Sequence, residues 1–225
     1  MTQQTTSKTW DADLQEMPLG NLPAFYSTAQ DQVDARRQLR SDQKHVSRSD
    51  KRLMLDARRL QNCLGHVGRL PEPGESVHLV THGNYSLFDV IRTTLTLASP
   101  ATMAYLGIST LGFNRYNVED LAAMLDADQI GRLDFLYSLY FKSNERELCE
   151  GLTAELTNRK QRVLSMRTHC KLLLIELTDG RALVVESSAN LRSCFNIEQI
   201  TIHHDAALLT FHRTWIDSVF QEQTK

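Results

Sequence analysis

Near its C-terminal third the chain reverses on itself, and that reversal constrains the whole fold. Two apolar runs, Cys170–Leu177 and Ala182–Glu186, flank Thr178-Asp179-Gly180-Arg181. Short apolar runs bounded by a turn read as strands. Gly180 offers the positive φ that a tight reversal needs. The spacing therefore predicts a β-hairpin. Strand alternation places His169 and Lys171 on one side of its entry and Cys170 on the other. The returning strand carries Ser187, Ser188 and Asn190 back to the same end, so polar groups distant in sequence converge there.

Alternation continues on both sides of the hairpin. Val77–Val80, Thr102–Ile108, Leu133–Leu139 and Ile197–Ile202 read as strands, and Arg162–Met166 leads into the hairpin. Leu87–Leu97, Val118–Leu125, Glu145–Leu156 and Ala206–Phe220 carry apolar residues at helical spacing. Such alternation predicts an α/β sandwich, with a mixed sheet flanked by helices. The punctuated stretch Gly65–Gly74, with Pro71 and Pro73, marks the main boundary. Residues 1–28 read as a flexible N-terminal arm, 29–74 as a helical extension and linker, and 75–225 as the principal domain. Ser47 or Ser49 would cap the helical extension. Its basic residues (Arg36, Arg37, Arg40, Lys44, Arg48, Lys51, Arg52, Arg58 and Arg59) are interleaved with Asp31, Asp34, Asp42, Asp50 and Asp56. A solvated face accounts for that mixture better than a nucleic-acid contact does.

Charge and hydropathy narrow the function classes. The chain has 225 residues, of which 41% are apolar and 23% charged, with a net charge of -2. A globally basic footprint for nucleic acid is missing, which leaves only a local groove for such a partner. No apolar run is long enough to span a membrane, and the N-terminus M-T-Q-Q-T-T-S-K-T-W lacks a signal-peptide core. The expected location is the cytoplasm, where Cys63, Cys149, Cys170 and Cys194 would be free thiols. The adjacent His203-His204 suits ordinary histidines better than a metal pair, and no metal site is expected.

The residues at the hairpin suit attack at phosphorus. Imidazole is a nucleophile near neutral pH and can also act as a general acid. A lysine ammonium supplies fixed positive charge where phosphate charge develops. Asn and Ser side chains can donate to further phosphate oxygens. Glu198, in Asn196-Ile197-Glu198, is placed to hold one imidazole nitrogen and so fix the tautomer. Thr81-His82-Gly83-Asn84-Tyr85-Ser86 and Asn114-Arg115-Tyr116 follow predicted strands, where sites tend to lie. They make His82, Asn84, Ser86 and Arg115 candidate groove residues, with Tyr116 able to stack a base, although Ser86 equally suits a helix cap. Tyr137, Tyr140 and Lys142 form a similar group, with core packing expected for the tyrosines.

Together, His169-x-Lys171, Ser188-x-Asn190 and Asn196-x-Glu198 resemble the HKD signature of the phospholipase D superfamily in its single-motif, nuclease-type form. Phage and prophage proteins with a phospholipase D-like domain are similar. The resemblance implies a phospholipase D-like α/β sandwich over 75–225 and phosphodiester hydrolysis through a phosphohistidine, with no cofactor and no metal. It implies catalytic roles for His169, Lys171, Asn190 and Glu198 and phosphate binding by Ser188; Ser187, beside it on the turn, is a further substrate-binding candidate. Two positions depart from the pattern: Glu176 stands where the family has Asp, and Glu186 where it has Gly before the serine turn, a change expected to narrow the pocket or repel phosphate. The family's chemistry uses two histidines, and no other histidine here is followed two residues on by Lys. The implied solution is a homodimer sharing one site, which is also the commonest oligomer. Nucleic acid is the expected substrate. A silent binding or phage assembly role is the alternative, and lipid is disfavoured because no membrane-docking segment is evident.

Overall fold

The computed structural model describes residues 48–192 and 195–222. From Leu53 onward the described residues form one compact unit. The N-terminal arm and most of the helical extension expected from the sequence, with its possible Ser47 cap and the basic residues up to Lys44, lie outside the described residues.

In chain order the elements are α1 (Arg48–Val67), β1 (Ser76–Thr81), α2 (Leu87–Ala98), β2 (Met103–Thr110), α3 (Arg115–Asp126), β3 (Ile130–Ser138), α4 (Leu139–Asn144), α5 (Arg146–Asn158), β4 (Arg162–Met166), β5 (Leu172–Leu177), β6 (Ala182–Ser187), β7 (Glu198–His204) and α6 (Ala206–Glu222). The strands form one mixed sheet ordered β1-β7-β6-β5-β2-β3-β4. β2, β3 and β4 run parallel, while β5, β6, β7 and β1 pair antiparallel. The expected architecture of a mixed sheet flanked by helices is what forms. Arg162–Met166 is a strand in its own right, paired with β3 at the sheet edge, and α4 is a short helix beginning where the sequence pattern continues a strand.

The hairpin forms as its turn chemistry dictates. Gly180 has φ +93°, Gly180 N–H donates to Leu177 O at 3.0 Å, and Asp179 Oδ1 accepts the Arg181 N–H at 3.1 Å. Its strands are apolar on both sides because helices cover both faces of the sheet. Leu173, Ile175, Leu183 and Val185 join the larger core, with Leu87, Ile91, Leu121 and Leu152 from the helices. Leu172, Leu174 and Val184 face the other way and pack on Leu209 and Ile216 of α6. Each buried Leu or Ile is worth about 1.5–3 kcal/mol relative to exposure. Gly107 of β2 makes room beneath α6: a Cβ there would stand 2.7 Å from Tyr105 Oη and 3.2 Å from Leu174 Cβ.

A charged clasp surrounds that smaller core. Asp134 of β3 is fully buried, and Arg162 of β4 grips it through two bonds of 2.6 and 2.5 Å. Arg162 also reaches Asp217 of α6, and Arg213 of α6 pairs with Glu176 of β5. Burial alone would push the Asp134 carboxyl up, but the bonds and charge of Arg162 outweigh it and hold the group below the usual carboxylate range. Glu176 thus ties β5 to α6.

Candidate active site

One edge of the sheet collects the candidate residues. The register pairs Thr81 with Glu198, Ser187 with Ile200, Leu172 with Glu186, Ser109 with Leu172, and Ser138 with Met166. The C-terminal ends of β1 to β4 and β6 therefore meet the N-terminal ends of β5 and β7. His169 and Lys171 lie just before β5, Ser187 ends β6, and Glu198 opens β7. Sequence reasoning placed these groups at one end, and the structure brings them there.

His169 is exposed, and its Nδ1 lies 3.0 Å from Lys171 Nζ. An ammonium only donates, so Nδ1 accepts and a neutral His169 carries its proton on Nε2. The Ser187 hydroxyl donates to Gln199 O at 2.9 Å and accepts the Ala189 N–H at 2.8 Å. The Ser188 hydroxyl donates to Glu198 Oε2 and accepts the Gln199 N–H at 2.9 Å. Both serine hydroxyls build the turn, and Glu198 is held by one of them. Asn190 Oδ1 accepts the Leu111 N–H at 3.1 Å, which leaves its amide hydrogens as the donors for a ligand.

The outlying candidates separate. His82 is exposed, one residue beyond the Thr81–Glu198 pair, and borders the site. Asn84 is exposed in the same loop. Ser86 is buried as the cap of α2, its N–H and hydroxyl each 2.7 Å from Asp89 Oδ2, which Arg59 also holds at 3.2 Å. Asn114 caps α3 by bonding the Asn117 N–H at 3.0 Å. Arg115 is bound to Glu119 at 2.8 Å along the outer face of α3, and Tyr116 is exposed.

Glu186 overturns an expectation. It follows Val184 on the α6 side of β6, where its two oxygens lie 3.4 Å from His203 Nε2 and 3.3 Å from His212 Nε2. Strand alternation turns it away from Ser187, so it neither narrows the pocket nor faces a bound phosphate. The two rings of His203-His204 have separate partners: His203 Nδ1 meets Ser76 Oγ at 2.8 Å, and His204 Nδ1 meets Pro71 O at 3.0 Å. Cys170 is an exposed free thiol, and Cys63 and Cys149 are buried free thiols. Among the described residues no group of three or more His, Cys, Asp or Glu is arranged to hold a metal ion.

Residues that sequence reasoning passed over, Leu111, Ser138, Arg167 and Thr168, stand beside His169. A groove of about 440 Å³ opens beside it, lined by Leu111, Ser138, Tyr140, Arg167 and Thr168. Tyr137 is buried in the core as expected, but Tyr140 is 73% exposed on the groove rim. Lys142, Arg167, Lys171 and Arg192 stand around this end, and none has a carboxylate partner among the described residues. Elsewhere pairing is the habit: Arg92 with Asp120, Arg159 with Asp126 and Glu155, Arg181 with Asp179. Among the described residues, four cations without a carboxylate partner thus stand at this end of the sheet.

No protein-family model matches the chain, and no curated protein does. Solved structures do. Polyphosphate kinase from Porphyromonas gingivalis aligns with 67% of this chain at 12% identity and a TM-score of 0.49, and the match spans only 28% of that protein. TrmBL2, described as an archaeal chromatin protein, aligns with 86% of this chain at 11% identity and a TM-score of 0.45, over 67% of its own length. NucT from Helicobacter pylori aligns with 65% of this chain at 13% identity and a TM-score of 0.46, over 97% of its own length. No helix among the described residues is long and apolar enough to cross a membrane.

Proposed function

We propose that the chain is a phospholipase D-like phosphodiesterase that hydrolyses nucleic acid. The observation that carries this reading is the contact between His169 and Lys171 beside a groove that His169 lines with Arg167, a cation without a carboxylate partner among the described residues. A phosphodiester is an anion, and a histidine beside an ammonium can attack its phosphorus. In the free chain Lys171 lies against Nδ1; the attacking ring must present a bare Nε2, while the partner subunit's His169 serves as the acid in its doubly protonated imidazolium form. An incoming phosphate draws Lys171 away, and transfer of the proton to Nδ1 bares Nε2 for attack.

The reaction then runs in two halves. His169 Nε2 forms a bond to phosphorus, the bond to the leaving oxygen breaks, and that oxygen takes a proton from the partner subunit's His169. Water next attacks the phosphohistidine and gives its proton to the partner subunit's His169, which restores both rings. Lys171 and the Asn190 amide hold the non-bridging oxygens. Ser188 can turn its hydroxyl from Glu198 towards phosphate, and the freed Glu198 carboxylate can accept a hydrogen bond from Nδ1–H, so that this proton stays on the ring through both halves. The homodimer is part of this proposal because a single chain offers one such histidine. A silent binding domain has less support, since Glu186, the residue suspected of closing the pocket, faces His203 and His212 instead.

Cleavage of labelled single- and double-stranded DNA and RNA in EDTA tests the reading, with wild type and His169→Ala side by side. Wild type is expected to cleave, and the variant to be at least about a thousandfold slower. Equal cleavage by both would end the proposal. Sedimentation at assay concentration reads the dimer directly.

A further inference from the structure

The groove beside His169 combines the exposed Tyr140 ring with Arg167, which has no carboxylate partner among the described residues, and from this we infer that it seats an unpaired nucleotide, so that the protein selects single-stranded nucleic acid. The inference rests on the phosphodiesterase reading and adds the form of its substrate. Tyr140 is 73% exposed, yet its backbone is fixed. Its N–H donates to Ser138 Oγ at 3.2 Å, and its carbonyl accepts from Ser143 Oγ and Asn144 Nδ2, each at 2.7 Å. The next residue, Phe141, is buried against Phe113, with ring centroids 4.8 Å apart. The ring of Tyr140 is therefore presented on a rigid platform at the rim of the groove that contains His169.

A rigid exposed aromatic beside a cationic path is the arrangement that binds single strands, because every unpaired base has a face to stack. A duplex keeps those faces stacked on one another and cannot use the ring. Tyr140 stacks the base, Arg167 across the groove holds the flanking phosphate, and the adjoining phosphodiester lies against His169 and Lys171. Arg192, whose guanidinium lies 5.7 Å over the Phe141 ring, extends the positive track on the far side of that platform. The chain thus supplies base contacts without a base-specific hydrogen-bond pattern, which predicts tolerance of sequence.

The test uses the full-length protein in EDTA, with labelled oligonucleotides of one sequence presented as single strand and as duplex. Cleavage gives kcat and KM, and fluorescence anisotropy gives binding. Wild type is expected to prefer the single strand by at least about tenfold. Tyr140→Ala should raise KM and Kd for it by roughly ten- to a hundredfold, the span of one base–aromatic stack, with kcat nearly unchanged. Tyr140→Phe should retain wild-type values, because the ring and not the hydroxyl does the stacking. Inorganic polyphosphate, which has the charge but no bases, should compete weakly and equally against wild type and Tyr140→Ala. Equal use of duplex and single strand, or unchanged KM and Kd in Tyr140→Ala, would overturn the inference even if cleavage itself is robust. Absence of cleavage together with Tyr140-dependent single-strand binding would sink the catalytic reading and leave this one standing. Absence of both would sink both.

Discussion

Two groups of basic residues in this protein meet opposite fates. Beneath α6, Arg162, Arg132 and Arg213 are tied to Asp134, Asp217 and Glu176, and the central carboxylate is fully buried. Around His169, Lys142, Arg167, Lys171 and Arg192 have no acidic partner among the described residues. The difference is one of supply. The face under α6 interleaves acids with bases, so its charge is spent internally, and what it provides is attachment of a helix. At the site edge the nearby acids are turned to other tasks, Glu198 towards Ser188 and Glu186 towards two imidazoles on the other face. Charge left over there is available to something that arrives from solution.

Breaking the internal group should have the larger effect. Asp134→Asn takes from Arg162 its buried partner and leaves it Asp217 alone, and the loss of stability should be about 3 kcal/mol, the low end for a broken buried pair, by urea unfolding. Catalytic rate per folded molecule should stay close to wild type. The same group should limit acid tolerance. Folded Asp134 holds its proton less readily than the unfolded chain does, so the unfolded state gains protons first as pH falls. Its contribution is whole above the ordinary carboxylate range and drains away below about pH 4, which thermal melts across acid pH would follow. Asp134→Asn should flatten that decline.

The external group should respond to salt. Raising the salt from 50 to 200 mM is expected to weaken oligonucleotide binding by roughly ten- to fiftyfold if two to four phosphates are neutralised. Stability over that range should hardly move, because the pairs under α6 are short and partly buried. A binding constant indifferent to salt would show that the free cations do not meet phosphate. The smallest expected effect is that of Glu186→Gln. It should change Kd for single-stranded DNA by less than about twofold, since that side chain faces away from the groove. A large gain in affinity would place Glu186 in the site after all.

Much of this was legible in local sequence, and the exceptions share a cause. The hairpin could be read because Gly180 and the apolar runs are local signals, and His169, Lys171, Ser188 and Asn190 came with it. Helix caps at Ser86 and Asn114 are equally local. Tyr140 could not be placed, because Tyr137 and Tyr140 look alike in sequence, and only the switch from β3 to α4 buries one and exposes the other. The family pattern put Glu186 beside phosphate. Simple strand alternation argues against that, but what awaited it on the other face depended on His212 of a later helix. The position of β1 beside β7 is likewise non-local, since nothing in either strand names the other.

That last pairing sets an order of events during synthesis. The sheet is incomplete at β1 until residues near 200 have left the ribosome, and α6 comes later still. A nascent chain that already contains His169 and Lys171 therefore lacks the strand that presents Glu198, and its acidic Asp134 face is uncovered. Pairings this distant in sequence close slowly. The strand that presents Glu198 accordingly joins the sheet after the segment that carries His169 and Lys171, so the candidate site is completed late in the folding of this domain.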